Sequence, residues 1–201
     1  LPIWPGYASD PVAPVTYIAP PTPRNRRALG HNLYADPIRR KAMLQAADSG
    51  GIAITSQIVL LMDAPQGKPA FGMYLALYAR GHASDTPAAR QAALYGWVHM
   101  AFRLPELIAS MHGEGSPGIA LRIHDGPEAT AEHLMFDSDP GVTHTPPRFT
   151  AIEHIEFPQH SWTLQVRSTP AFELGHSNKP AHIVAGAGSC VSLLLALFTW
   201  Q

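Results

Sequence analysis

Residues 36–62 read DPIRRKAMLQAADSGGIAITSQIVLLM, and the change of period inside this stretch decides the fold. Asp36 stands where an N-cap carboxylate accepts backbone hydrogen bonds, Pro37 fits a first helical position and Gly50-Gly51 supplies the stop, so the spacing predicts one amphipathic helix over 37–49. Ile38, Ala42, Met43, Ala46 and Ala47 form its expected buried stripe, leaving Arg39, Arg40, Lys41, Gln45 and Asp48 for solvent. From Ile52 the pattern becomes apolar and β-branched, and 52–62 reads as a strand. Two more strand-like runs follow, AFGMYLALYA at 70–79 and AALYGWVHMAF at 92–102. The turn signal Pro65-Gln66-Gly67-Lys68 joins the first two as a hairpin, and the polar stretch Gly81–Arg90 reads as a loop before the third.

Upstream, residues 1–30 form a proline-rich lead-in whose one strand-like piece is Val15–Ile18. Downstream, a helix-like Pro105–Met111 leads through the linker GEGSPG at 113–118 into strand-like runs at 119–125, 133–136, 149–157 and 161–168, with 138–148 as a loop. The expected class is α+β: two sequential units, each an antiparallel sheet with flanking helices, divided near 103–116, with no internal repeat.

A chain of 201 residues suits one large or two small domains. With a net charge of -1 and 14% charged residues it offers no basic field, so nucleic acid is not an expected partner. Its 20 Pro and 16 Gly exclude a long helical bundle, and 46% hydrophobic content argues against disorder. The single cysteine, Cys190, excludes an internal disulfide and a cysteine zinc cluster, and reads as a small apolar filler. Residues 183–200, IVAGAGSCVSLLLALFTW, carry no charge. As a helix they would reach about 27 Å, close to the roughly 30 Å of a bilayer core. They are read as a transmembrane helix, with a buried C-terminal helix as the alternative. Leu1 is not a start methionine and LPIWPGYASDPVAP lacks the regions of a signal peptide, so the sequence is expected to be a piece of a longer membrane protein, cut at both ends.

Eleven histidines invite a metal site. His154 and Glu156 alternate onto one strand face, with His133 and Asp137 or Asp139 as conceivable partners, but no third ligand is fixed, and no metal or cofactor is expected. A nucleophile elbow, a phosphate loop and a dinucleotide fingerprint are lacking, and Asp10, Asp36, Asp48 and Asp63 fall in turns or caps, so no catalytic residue is expected. A ligand pocket between helix and sheet is the remaining reading, with Asn32, Thr55 and Gln57 as its few polar groups. Against it, Asn32 also suits a turn, and Thr55 and Gln57 also suit a solvated strand face. Tyr34, Tyr74, Tyr78, Tyr95 and Trp97 suit core positions.

The order of these pieces resembles the CHASE family, the cyclases/histidine kinases associated sensory extracellular domains. The resemblance rests on Asn25 to Leu33, Asp48-Ser49-Gly50, Thr55 to Leu60, LALYARG at 75–81, and LYGWVHMAFRLPELI at 94–108, where Gly96-Trp97-Val98 and Phe102 stand out. It covers residues 10–111 well and continues weakly through ALRIHDG at 120–126 and SWTLQVRSTPAF at 161–172. It implies a long N-terminal stalk helix, a membrane-distal PAS-like ligand-binding unit (1–112), a membrane-proximal PAS-like unit (113–180) and a transmembrane helix (183–200). It further implies a homodimer in the cell membrane, with this domain on the periplasmic or extracellular side. The output domain would be a histidine kinase of a two-component system, a diguanylate cyclase with phosphodiesterase, or a nucleotide cyclase. In plant members the distal pocket binds cytokinins, and an acidic residue before the helix accepts from the adenine. The matching position here is Asn32, an amide without that charge, which implies an adenine-like or amide-bearing small molecule. By the same carry-over Ile54, Met73, Leu75, Tyr95, Gly96 and Val98 are pocket-wall candidates, and Ala76 replaces the family's proline.

The expectation is thus a non-catalytic sensor domain that binds a small molecule. Two other readings stand beside it: a spacer that dimerises without ligand, and a membrane-anchored hydrolase or metal-dependent enzyme using His133 and His154.

Overall fold

In the computed structural model, which describes residues 2–5, 11–63, 67–81, 85–112, 118–140 and 146–175, the helix announced by Asp36 forms with the expected ends. The elements run α1 (Pro23–Arg26), α2 (Pro37–Ser49), β1 (Ile52–Ile54), β2 (Ile58–Val59), β3 (Pro69–Tyr78), α3 (Pro87–Ala93), β4 (Leu94–Arg103), α4 (Leu104–His112), β5 (Ile119–Asp125), β6 (Leu134–Asp137), β7 (Thr150–Phe157), β8 (His160–Ser168) and α5 (Pro170–Gly175). The Asp36 carboxylate accepts from the Ile38 and Arg39 amides, and Gly50 closes α2 at φ 72°, a left-handed conformation in which any other residue would be strained. The buried stripe is Arg39, Ala42, Met43, Ala46 and Ala47. It matches the expected one except in the first turn: Arg39 is buried because its guanidinium pairs with Asp36 and donates to the Val59 carbonyl at 3.0 Å, and Ile38 is exposed instead.

Two four-stranded sheets result, both wholly antiparallel. In the first, β1 and β2 lie along one edge of β3 and β4 along the other; the second has the order β6-β5-β8-β7. The run 52–62 is therefore broken into two short strands, not one. The Thr55 N–H still donates to the Gly72 carbonyl and its hydroxyl accepts the Gly72 N–H, both at 2.9 Å, but the Gln57 N–H donates to Asp125 of the second sheet at 2.9 Å, so the ladder is interrupted after Thr55. The loop expected before the third run contains α3: Thr86 caps it, Pro87 opens it, and Ala92 and Ala93 belong to it rather than to the strand. Val15–Ile18 is not a strand; the lead-in is tied instead through Pro14, which bridges Asn32.

Two cores position these layers. Ala42, Met43, Ala46 and Ala47 of α2 pack on Ala53, Tyr74 and Ala76, one face of the first sheet. On the opposite face, Ile54 and Phe71 join Leu104 of α4 and Ile123, Met135 and Trp162 of the second sheet. Each large side chain so buried contributes about 1.5–3 kcal/mol. The upper part of that second face is left open, with Ile52, Leu75, Leu77, Val98 and Met100 exposed.

The linker 113–117, Cys190 and the apolar run 183–200 lie outside the described residues. Among the described residues no helix is long and apolar enough to cross a membrane.

One glycine makes a close approach that a side chain would forbid. Gly30 sits at φ 81°, and a Cβ there would stand 2.1 Å from the Pro2 carbonyl oxygen. Gly30→Ala is expected to release the first residues, adding to the left-handed strain of about 1 kcal/mol the loss of the Trp4–Gly30 hydrogen bond of 3.0 Å. A red shift of Trp4 fluorescence checks this; an unchanged spectrum would contradict it.

Candidate functional site

Between α2 and the first sheet lies a layer in which buried polar atoms lack protein partners. Asn32 caps the short 3-10 turn Leu33–Ala35, and its Oδ1 accepts from the Tyr34 N–H at 3.2 Å and the Ala13 N–H at 2.9 Å. With its oxygen fully used, the fully buried Asn32 keeps an amide nitrogen that donates to nothing in the protein. Tyr74 on β3 and His99 on β4 are register partners whose rings lie 4.8 Å apart at 30°. The Tyr74 hydroxyl, His99 Nε2 and His31 Nδ1 are likewise buried without partners. Gly72 permits the close packing here, since a Cβ would meet the Tyr74 ring at 3.1 Å, Thr55 at 3.5 Å and His99 at 3.7 Å.

Such orphaned groups cost about 1–3 kcal/mol each when nothing satisfies them. Four of them around one helix–sheet layer form an arrangement that a small hydrogen-bonding molecule, or ordered water, would satisfy.

Electrostatics sets the chemistry. Burial, with the Arg39 charge added, pushes His99 down to about 4, so its imidazole is neutral at neutral pH. Burial also holds the Tyr74 hydroxyl above its ordinary value, and burial followed by Arg39 lowers His31. Arg39 is itself compensated by Asp36. The layer therefore offers neutral donors and acceptors beside a closed ion pair, a setting for an uncharged heteroaromatic or amide group.

The residues singled out from sequence divide between two faces of the first sheet. Asn32 and Thr55 are buried on the α2 side. Leu75 pairs with Val98, Met73 with Met100 and Gly96 with Leu77, and these alternate away from α2. Leu75 is 40% exposed, Val98 50% and Tyr95 82%. Ile54 is buried in the second core, with Met73 packed against it. Gln57 reaches the second sheet through its backbone. The sequence reading missed Arg39, His31 and His99, and placed Tyr74 in the core without a polar role. A usable signal existed for His99, a polar residue inside the otherwise apolar 94–102, where period 2 puts it on the face of Trp97.

His133 and His154 each bond a threonine, Thr130 and Thr163, both at 3.1 Å. Among the described residues no three His, Cys, Asp or Glu side chains are placed to hold a metal ion.

Compared with known families, the chain matches the model of the CHASE domain over residues 1–136, a span that includes the first sheet, α4, β5 and most of β6. No curated protein matches the chain.

Proposed function

Because the chain belongs to the CHASE domain family, whose members are non-catalytic extracytoplasmic sensory modules of membrane receptors, we propose that it senses a small uncharged organic molecule, adenine-like or amide-bearing, in the layer between α2 and the first sheet. The observation that carries this is the buried Asn32 amide with Nδ2 unpartnered, beside the orphaned Tyr74 hydroxyl and His99 Nε2. Thr55, also buried on the α2 side, bounds the same layer. In this reading Ile54 and Met73 form the floor beneath the sheet, while Gln57 links the site to the second sheet. Leu75, Gly96 and Val98 belong to the open outer face, where a stalk helix or a second protomer is received, and the exposed Tyr95 stands at the irregular end of β4.

In the finer form of the proposal, 1–112 is a membrane-distal PAS-like unit, 113–180 a membrane-proximal one and 183–200 the membrane anchor of a homodimer on the periplasmic or extracellular side. The output is a histidine kinase, diguanylate cyclase or nucleotide cyclase domain. Signalling requires differential affinity, since a ligand that binds both receptor states equally shifts nothing.

A thermal-shift screen against adenine derivatives, amino acids, small carboxylates and divalent metals tests this, because a ligand specific to the folded state raises the melting temperature. At about 100 times its Kd a ligand adds about 2.7 kcal/mol. An uncharged organic hit is expected, weakened at least about tenfold in Asn32→Leu. Equal affinity in that variant would remove Asn32 from the site.

A further inference from the structure

A cleft of about 270 Å³ lies where the first turns of α2 meet the end of β1 and the β7–β8 turn of the second sheet. This volume is at the small end of ligand pockets, which run about 300–1,000 Å³. Lys41 and Gln45 line it from α2, Ser56 from the segment after β1, and Gln159 and His160 from the turn, with Ile38 and Ile54 as apolar surface.

The charge balance of this lining is one-sided. No carboxylate is among the lining residues, and no ion-pair partner of Lys41 is found among the described residues. Two acids border it and both are engaged: Asp36 caps α2 and pairs with Arg39, and Asp125 is occupied on both oxygens, Oδ1 holding His160 Nε2 at 2.8 Å and Oδ2 accepting the Gln57 N–H at 2.9 Å. The Asp125 carboxylate fixes the His160 ring against the cleft and ties the first sheet's edge to the second sheet's turn. A cation, amides, a hydroxyl and two isoleucines suit a negatively charged head on a short apolar chain.

We propose that this cleft binds a small organic monocarboxylate, with Lys41 holding the carboxylate and the Ile38–Ile54 surface its carbon chain. Bound there, the ligand touches both halves of the molecule, so its affinity depends on how α2 sits against the β7–β8 turn. The site adjoins the Asn32 layer through Thr55, which also lines the cleft, and the two are told apart by variants at Lys41 and Asn32.

Isothermal titration of the 201-residue chain with butyrate, and with butyramide as the uncharged analogue, tests the proposal. Butyrate is expected to bind, Lys41→Gln to weaken it at least about tenfold, and butyramide to bind at least about tenfold less well, as a charge-assisted contact requires. Asn32→Leu is expected to leave butyrate affinity unchanged. Lys41 is exposed, so Lys41→Gln keeps the fold, which circular dichroism verifies. No heat at millimolar butyrate overturns the proposal. So does equal binding of the amide, or binding that survives Lys41→Gln and is lost in Asn32→Leu, which places the molecule in the inner layer.

Discussion

Asp63→Asn is expected to destabilise the fold by about 2–4 kcal/mol. The Asp63 side chain is buried and lies between two guanidiniums, those of Arg24 and Arg103, the latter also bonded to Glu106 at 3.2 Å. Burial pushes the Asp63 carboxyl up, but the hydrogen bond and charge of Arg103, then those of Arg24, outweigh it and hold the carboxyl below its usual range. Removing one partner of a buried ion pair typically costs about 3–5 kcal/mol, because the remaining charge is left uncompensated. The figure is reduced here because Arg24 is 52% exposed and can return to water, whereas Arg103 is 17% exposed and cannot do so fully. Arg24→Ala is correspondingly expected to cost less than about 1 kcal/mol. Urea unfolding of the three chains checks the ranking; equal stability of Asp63→Asn and the parent would contradict it. The knot matters for the site because Arg24, which also donates to the Met62 carbonyl at 3.4 Å, anchors α1, the segment that leads into Asn32.

Acidification supplies the second large effect. A histidine depressed to about 4 in the fold, against about 6.5 when unfolded, binds its proton more readily in the unfolded chain. Stability from His99 is therefore fully present above pH of about 6.5 and is lost as pH falls toward about 4, amounting to about 2–3 kcal/mol at the lower end. His31, also lowered, acts in the same direction. Asp63, with its lowered carboxyl, loses its contribution only below the unfolded carboxylate range of about 3.9, outside most of this window. Unfolding free energies at pH 7.5 and 4.5 for the parent and His99→Phe measure the effect. The variant is expected to show a fall smaller by about 2 kcal/mol; equal falls in the two proteins would contradict the assignment.

Much of the fold is legible because its signals are local. The Asp36-Pro37 start and Gly50-Gly51 stop need no tertiary information, and α2 occupies the predicted 37–49. The strands of the second sheet are delimited by turns and fall within a residue or two of their expected bounds. Local reading fails where a distant partner decides. Thr55 stays paired with Gly72 of β3 through both its N–H and its hydroxyl, whereas the Gln57 N–H turns to Asp125, 68 residues away. Arg39 reads as solvent-facing because its buried acceptors, Asp36 and the Val59 carbonyl, are assembled only in the fold.

For the site, Asn32 and Thr55 were visible as polar residues in an apolar setting. Of the wall residues taken from the resemblance, Ile54, Met73, Leu75, Gly96 and Val98 share one face of the sheet, the one away from α2, and a shift of one residue along a strand moves a side chain to the opposite face. Tyr74, Trp97 and His99 hold the alternate positions, which face α2. Parity becomes readable only when one residue is anchored, as Trp97 is by its indole N–H donating to the Met43 carbonyl at 2.9 Å.

A nitrogen-15 NMR titration with the strongest organic hit of the thermal screen distinguishes the two faces. The Asn32 side-chain amide and the His99 ring are expected to shift at the lowest ligand ratios, with the backbone amides of Gly72 and Thr55. Shifts confined to Met73, Leu75 and Val98, with Asn32 and His99 unmoved, would contradict the inner site and move the ligand to the outer face.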